Sequence, residues 1–196
     1  SFLTTGGIRG GNEKMEKFHP RSFNMGFSMQ VFEASGGFST MRFGEDVDLS
    51  IRIMEHGYRT QLIREAYVYH KRRSSLRQFF KQVYNSGIAR INLHKRHPGT
   101  LKLVHTAPAV FTLGVMTLIL LSILVSGYFV LPVLLHMVLL FLSASSKNRN
   151  LSIGALAVVT SYTQLFGYGT GFLNAFWRRM ILGRDEFSAF NKNFYK

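Results

Sequence analysis

Three carboxylates fall within four positions at Glu45, Asp46 and Asp48, with Gly44 just before them and Arg52 four residues after Asp48. Such a cluster makes a poor core. It suits the first turn of a helix, where the macrodipole favours negative charge and the carboxylates are free for proton transfer or cation contact. The same residues also read as an acidic turn that only caps its helix, and both readings stay open on these residues alone. His70 closes the run Tyr67-Val68-Tyr69. A lone histidine at a strand end is usually structural. Near a carboxylate cluster it becomes a candidate metal ligand, in an oxygen and imidazole set that suits Mn²⁺ or Mg²⁺ better than a closed zinc site.

The elements that must position these groups read as α/β. Ser22 to Met29 has strand character, and Gln30 to Ala34 forms a short helix stopped by Ser35-Gly36-Gly37-Phe38. The adjacent glycines let backbone approach a ligand, or simply make a turn. Asp46 to His56 pairs Val47 with Ile51 and Leu49 with Ile53 at helical spacing, and Gly57 ends it. Tyr58 to Ile63 and Ala66 to Tyr69 then read as two short strands. Strand, acidic helix and strand ending in His70 form an arrangement in which acid and imidazole can meet.

Composition sets the surroundings. The 196-residue chain carries a formal charge of +14 and no cysteine, which excludes disulfides and cysteine metal sites and points to an anionic partner. Lys71 to Lys102 contains no Asp or Glu. Within it, Ser74 or Ser75 caps a helix whose Leu76, Phe79, Phe80, Val83, Tyr84, Ile88 and Ile91 form one apolar stripe, with Arg77, Lys81 and Arg90 off it. A basic amphipathic helix of this kind lies in a membrane interface or packs one face on the soluble part.

Leu103 to Ser146 contains no Asp, Glu, Lys or Arg. It is roughly twice the length that one crossing of a bilayer core of about 30 Å requires. Two helices are implied, broken near Ser126-Gly127-Tyr128-Phe129, with Pro132 in the first turn of the second. His136 on that helix reads as a neutral residue bonded to a neighbouring helix, or as a proton relay. A third segment, Leu151 to Trp177, is more polar at Thr160 to Gln164. Its Gly167, Gly169 and Gly171 favour close helix packing, and it reads as a third crossing or a re-entrant segment. The positive-inside rule places the basic run and the Lys147/Arg149 loop in the cytoplasm, so a full third crossing would strand Arg178, Arg179 and Arg184 outside. The expected divisions are 1–72, 73–102, 103–177 and 178–196.

Asn24-Met25-Gly26, Gly36-Gly37-Phe38, Gly44-Glu45-Asp46-Val47-Asp48-Leu49 with Arg52, and Tyr67-Val68-Tyr69-His70 occur in this order. Together they resemble the C-terminal half of a membrane-anchored family 2 glycosyltransferase of the GT-A fold. The resemblance covers about residues 1 to 100, and the hydrophobic helices match membrane-anchored bacterial members. It implies a partial, Rossmann-like α/β half-domain, followed by the amphipathic helix and transmembrane helices, with the catalytic part facing the cytoplasm at a bacterial inner membrane. Asp46 would be the general base, assisted by Glu45. Gly36 and Gly37 would line the acceptor side with Asp48 and Arg52, which can also position the base, and His70 would help hold Mn²⁺ or Mg²⁺. The reaction implied is an inverting transfer from a nucleotide-sugar donor to a glycan or lipid-linked acceptor in cell-envelope synthesis.

Two motifs of the family are missing. The donor-binding half with its Asp-x-Asp is absent, so the chain is expected to be a fragment, inactive alone. No Gln-x-x-Arg-Trp occurs, which disfavours a processive synthase. A different class, a membrane-anchored scaffold or transporter subunit, remains open, although the spans offer little polar pathway beyond His136. Nucleic acid is not expected as a partner, because the basic cluster abuts the apolar segment and no nucleic-acid motif occurs.

Overall fold

The computed structural model describes residues 18–63, 65–69 and 74–186. Among these residues six α-helices run in chain order: α1 Met29–Ala34, α2 Glu45–Glu55, α3 Leu76–Arg96, α4 Ala107–Leu124, α5 Leu131–Asn148 and α6 Leu151–Phe176. Short 3₁₀ turns at Leu103–His105 and Gly127–Val130 flank α4, and a π-helical turn, Trp177–Ile181, continues α6.

The α/β Rossmann-like half-domain is not what forms. Among the described residues there is no strand, and the fold is helical. Where Ser22 to Met29 was expected to extend, Arg21 and Asn24 make one isolated antiparallel bridge. Ser28 then opens α1 by accepting the Val31 N–H on its hydroxyl. Tyr58 to Ile63 and Ala66 to Tyr69 pair with no neighbouring strand among the described residues. A strand is stabilised only by a ladder, and these segments are tied down by single side-chain bonds instead. Asn24 Nδ2 donates to Ala66 O at 3.0 Å, and Thr60 Oγ1 donates to Phe18 O at 2.5 Å.

The helices end where sequence chemistry directs. Gly57, at φ 83°, takes the left-handed turn after α2. Ser75 caps α3, accepting from Gln78 N at 3.3 Å, and Asn150 caps α6, accepting from Ile153 N at 3.1 Å. Pro132 lies in the first turn of α5, where its missing N–H costs nothing.

Most of the packing converges on α6, which meets α3 over its longest contact and also meets α4 and α5. Glycine makes these approaches possible. A Cβ built on Gly171 would fall on the Tyr84 carbonyl oxygen, and one on Gly167 would lie 2.5 Å from Val83 Cγ2. From the other side, a Cβ on Gly87 would lie 2.7 Å from Phe172 N. Contacts advance together along the two helices, Phe80 with Gly167 and Tyr84 with Gly171, so α3 and α6 run in the same direction. Gly169 faces Pro108 and Thr112 of α4, and Gly154 faces Phe141 and Ser145 of α5. The apolar stripe of α3 is therefore spent largely on α6. Ile91 joins Ala109, Phe172 and Ala175 in one buried cluster, with Ile88 and Tyr168 against it.

Among the described residues, two helices are long and apolar enough to cross a membrane, Ala107–Leu124 and Gly127–Asn148. Only 22% and 11% of these windows are buried inside the chain, whereas the core helix of a water-soluble protein would be mostly covered. Ile123, Leu124, Leu135 and Leu142 all face outward. His136 Nδ1 meets the Tyr162 hydroxyl of α6 at 3.0 Å, beside the Phe111 ring. It is a residue bonded to a neighbouring helix. The end of α6 returns to α3, where Arg179 Nη1 donates to Asn92 Oδ1 at 2.6 Å.

The glycine contacts give a direct test. Gly171→Ala should destabilise the chain by roughly 1–3 kcal/mol or more, because backbone must move to admit the methyl group. Gly114→Ala, which meets nothing within 4 Å on α4, should leave thermal unfolding in detergent almost unchanged. Equal melting temperatures for the two variants would contradict the close approach of α3 and α6.

Candidate functional site

The acidic turn sits where α2 meets α3. Gly44 holds φ 84°, and a Cβ there would come within 3.3 Å of both Ala89 and Leu93 on α3. Its left-handed backbone and missing side chain together bring the helix start against α3. Met41, Val47 and Leu93 close the apolar contact beneath it. Gly44 offers no side-chain cap, so the free N–H groups of the first turn face the chain's own carboxylates.

Asp46 is buried, and its Oδ1 accepts the Val47 N–H at 2.8 Å. Glu45 is half-buried and accepts from Ser22 Oγ at 3.3 Å, which joins it to the loop before α1. Farther along, Ser50 donates to Val47 O at 2.9 Å, so the His19 Nδ1–H donates to Ser50 Oγ at 2.7 Å. The first turns of α2 are thus held from the 18–22 segment as well as from α3.

Asp48 is the centre of a polar network. At 2% exposure, its Oδ2 accepts Arg52 Nε at 3.1 Å and Nη2 at 2.9 Å, while Oδ1 lies 2.9 Å from His97 Nε2. An ionised carboxylate only accepts, so His97 Nε2 carries the proton. Burial pushes the Asp48 carboxyl upward, yet hydrogen bonds from His97, Ser39 and Arg52, with the Arg52 charge, outweigh it. The carboxyl is held below its ordinary value of 3.8. Arg52 extends the network to the glycine turn: Nη2 donates to Gly37 O at 2.6 Å, and Nη1 donates to Ser35 O.

Gly36 and Gly37 take left-handed conformations at φ 71° and 64°, and a Cβ on Gly37 would strike the Phe32 ring at 2.5 Å. That turn aims two backbone carbonyls at one guanidinium. Gly36, Gly37, Asp48 and Arg52 are therefore brought together, and Asp46 and Glu45 stand at the head of the same helix. Arg52 and His97 also border an open depression of about 670 Å³ with Glu55 and Arg96. A second cleft, of about 720 Å³, runs between Phe23, Asn24 and Phe27 and the segment Tyr58 to Ile63, and no carboxylate of the acidic turn lines it.

His70 lies outside the described residues, as do Arg72 and Arg73. Among the described residues no group of three His, Asp or Glu side chains is arranged to hold a metal ion, and Asp48 is engaged by Arg52 and His97. The described residues do not by themselves build the Mn²⁺ or Mg²⁺ site. Sequence reasoning missed His97, 49 positions from its partner. Its available signal was its place before Pro98 and Gly99, where a helix must end.

Asp48 fixes a pH dependence. Its lowered pKa in the folded chain means that the stabilisation is complete above the ordinary carboxylate range and is lost as pH falls below about 4 toward the folded value. Asp48→Asn should destabilise the chain by about 3 kcal/mol at neutral pH and flatten this acid-side loss, as read by thermal unfolding at stepped pH. An unchanged acid limb in the variant would remove Asp48 from that role.

Comparison with known families matches the sequence over residues 22–144 to the Glycosyl transferase family group 2. No curated protein and no solved structure matches. The matched span holds the acidic turn, the glycine turn, α3 and most of the apolar helices. It covers more than half of the chain, which therefore belongs to glycosyl transferase family group 2 and is a glycosyltransferase.

Proposed function

We propose that the chain serves an inverting transfer in which Asp46 is the general base, and that the acceptor is a hydroxyl of a cell-envelope glycan or glycolipid. Family membership implies a nucleotide-sugar donor and an acceptor, and family 2 enzymes commonly use a divalent metal. The observation that carries the reading is the fixed setting of Asp46. It is buried, oriented by the Val47 N–H, and on a helix clamped through Asp48 to Arg52 and His97. A base acts efficiently when its carboxylate is held toward the proton it removes.

In the proposed step Asp46 takes the acceptor proton as the acceptor oxygen attacks the anomeric carbon. The bond from that carbon to the nucleoside diphosphate breaks on the opposite face, and the diphosphate leaves with the electron pair. Glu45 sits beside the base, tied to Ser22, and supports its position. Gly36 and Gly37, whose turn Arg52 holds, form the acceptor side. A metal, when bound, would offset the charge of the departing diphosphate. His70 is proposed to help hold it.

The setting proposed is a bacterial inner membrane, with α4 and α5 crossing and the acidic turn in the cytoplasm. Lys147, in the last turn of α5, and Arg149, just after it, agree with a cytoplasmic end there. Asp46→Asn keeps an oxygen for the Val47 N–H but removes the base. In the full-length enzyme, incorporation of labelled sugar from a panel of nucleotide sugars, in membranes supplied with Mn²⁺ or Mg²⁺, should fall by about 10² to 10⁴-fold while membrane partition is retained. Incorporation within a few-fold of the parent would show that Asp46 is not the base, as expected of a scaffold.

A further inference from the structure

The segment before α1 reaches the acidic helix by a route that does not pass through Asp48. His19 Nδ1 lies 2.7 Å from Ser50 Oγ, and Ser50 Oγ donates to Val47 O at 2.9 Å. The Val47 N–H in turn donates to Asp46 Oδ1 at 2.8 Å. Val47 is thus gripped by its carbonyl from one side and joined by its amide to the carboxylate on the other. Three hydrogen bonds connect the imidazole to Asp46, with one residue between. Ser50 is at 0% exposure, and Val47 and Asp46 are buried, so these links lie away from solvent.

The directions of the bonds show what His19 contributes. A serine hydroxyl has one proton, and with that proton given to Val47 O, Ser50 accepts from the Nδ1–H of His19. A serine that bonds back onto its own helix competes with the main-chain ladder and tends to bend the turn. Here the imidazole occupies the hydroxyl oxygen and so fixes its proton on Val47 O. Gly44 has no side chain with which to cap the first turn, so the setting of Asp46 depends on how firmly Val47 is held. Bonds in such a chain also polarise and strengthen one another.

An anchor must itself be held, and residues 18–22 are held on both sides of His19. Phe18 O accepts from Thr60 Oγ1 at 2.5 Å, and Asn24 N donates to Arg21 O at 2.8 Å. Ser22 Oγ donates to Glu45 Oε1 at 3.3 Å. The two ties from this segment to α2 therefore end on Glu45, beside the base, and on Ser50, which holds the residue that orients it. We infer that His19 is a positioning residue for the proposed transfer, acting on Asp46 through Ser50 and Val47. The inference rests on the assignment of Asp46 as the base.

The test uses the full-length enzyme in membranes, with the labelled nucleotide sugar that the parent incorporates best varied in concentration. His19→Ala should lower kcat by about tenfold and leave the KM for the nucleotide sugar unchanged, a fraction of the roughly 10²-fold that a 1 Å displacement of a reacting group costs. His19→Asn, whose amide N–H falls close to the place of the Nδ1–H, should recover most of that loss. In an Asp46→Asn background, His19→Ala should cause no further loss, because nothing is left for it to position. Thermal unfolding in detergent is followed for every variant. A kcat for His19→Ala equal to the parent's, a loss that His19→Asn does not recover, or an equal further loss in the Asp46→Asn background would overturn the inference. So would a His19→Ala chain that no longer unfolds cooperatively, since His19 would then be a structural residue. Parental activity in Asp46→Asn alone would instead remove the base, and the inference would fall with it.

Discussion

A carboxylate buried to 2% exposure must find partners for both of its oxygens, and Asp48 finds them in two different places. One oxygen takes Arg52 from its own helix, and the other takes His97 from the end of α3. Burying a charge is costly, and breaking one side of such a pair leaves the other uncompensated. The arrangement therefore fixes where α2 stands against α3. Arg52 carries the constraint onward to the carbonyls of Ser35 and Gly37, so the glycine turn, the acidic helix and the end of α3 are joined in one piece by a single hydrogen-bond network.

From that piece the constraint passes to the apolar helices through α3. Its 21 residues are seated on α6 by glycines on both helices, which bring backbone against backbone at Gly87, Gly167 and Gly171. Close packing of this kind needs no hydrophobic drive and suits helices in lipid. Asn92, Arg96, Arg179 and Glu186 then tie the end of α6 to α3 by side-chain bonds. The carboxylates that read as chemistry are thus coupled by rigid helix to the segments that read as membrane. The transfer proposed above would depend on this coupling, because a displacement of about 1 Å can cost 10²-fold in rate.

How much of this was legible follows from the range of the forces involved. Local signals read correctly: α1 and α2 fall within one residue of their expected starts, Gly57 ends α2, and the break between the spans lies at Gly127–Val130. The glycines at 167, 169 and 171 were expected to mark close packing, and they do. The strands failed because aromatic and β-branched runs such as Tyr67 to Tyr69 describe a surface suited to a sheet, while a strand exists only with a partner that its own residues cannot reveal. The stripe on α3 left two surfaces open, and α6 covers it from Val83 onward, while Leu76 and Phe80 stay exposed. His97 and the Asn92, Arg179 and Glu186 cluster stayed invisible because polar contacts across tens of residues leave no periodic trace. The helix turn that carries the carboxylates could be read, and the contact between Asp48 and His97 that ties it to α3 could not.

The role proposed for the acidic turn depends on that clamp. If Asp48 and His97 hold α2 on α3, their contributions are not independent. A double-mutant cycle with Asp48→Asn and His97→Gln, read by denaturant unfolding of the detergent-solubilised chain, measures the link without reference to any substrate. The account predicts a coupling of about 1.5–3 kcal/mol, as for a hydrogen bond to a buried charge. Additive effects, with a coupling below about 0.5 kcal/mol, would contradict it and leave the acidic turn without the anchor on which its geometry rests.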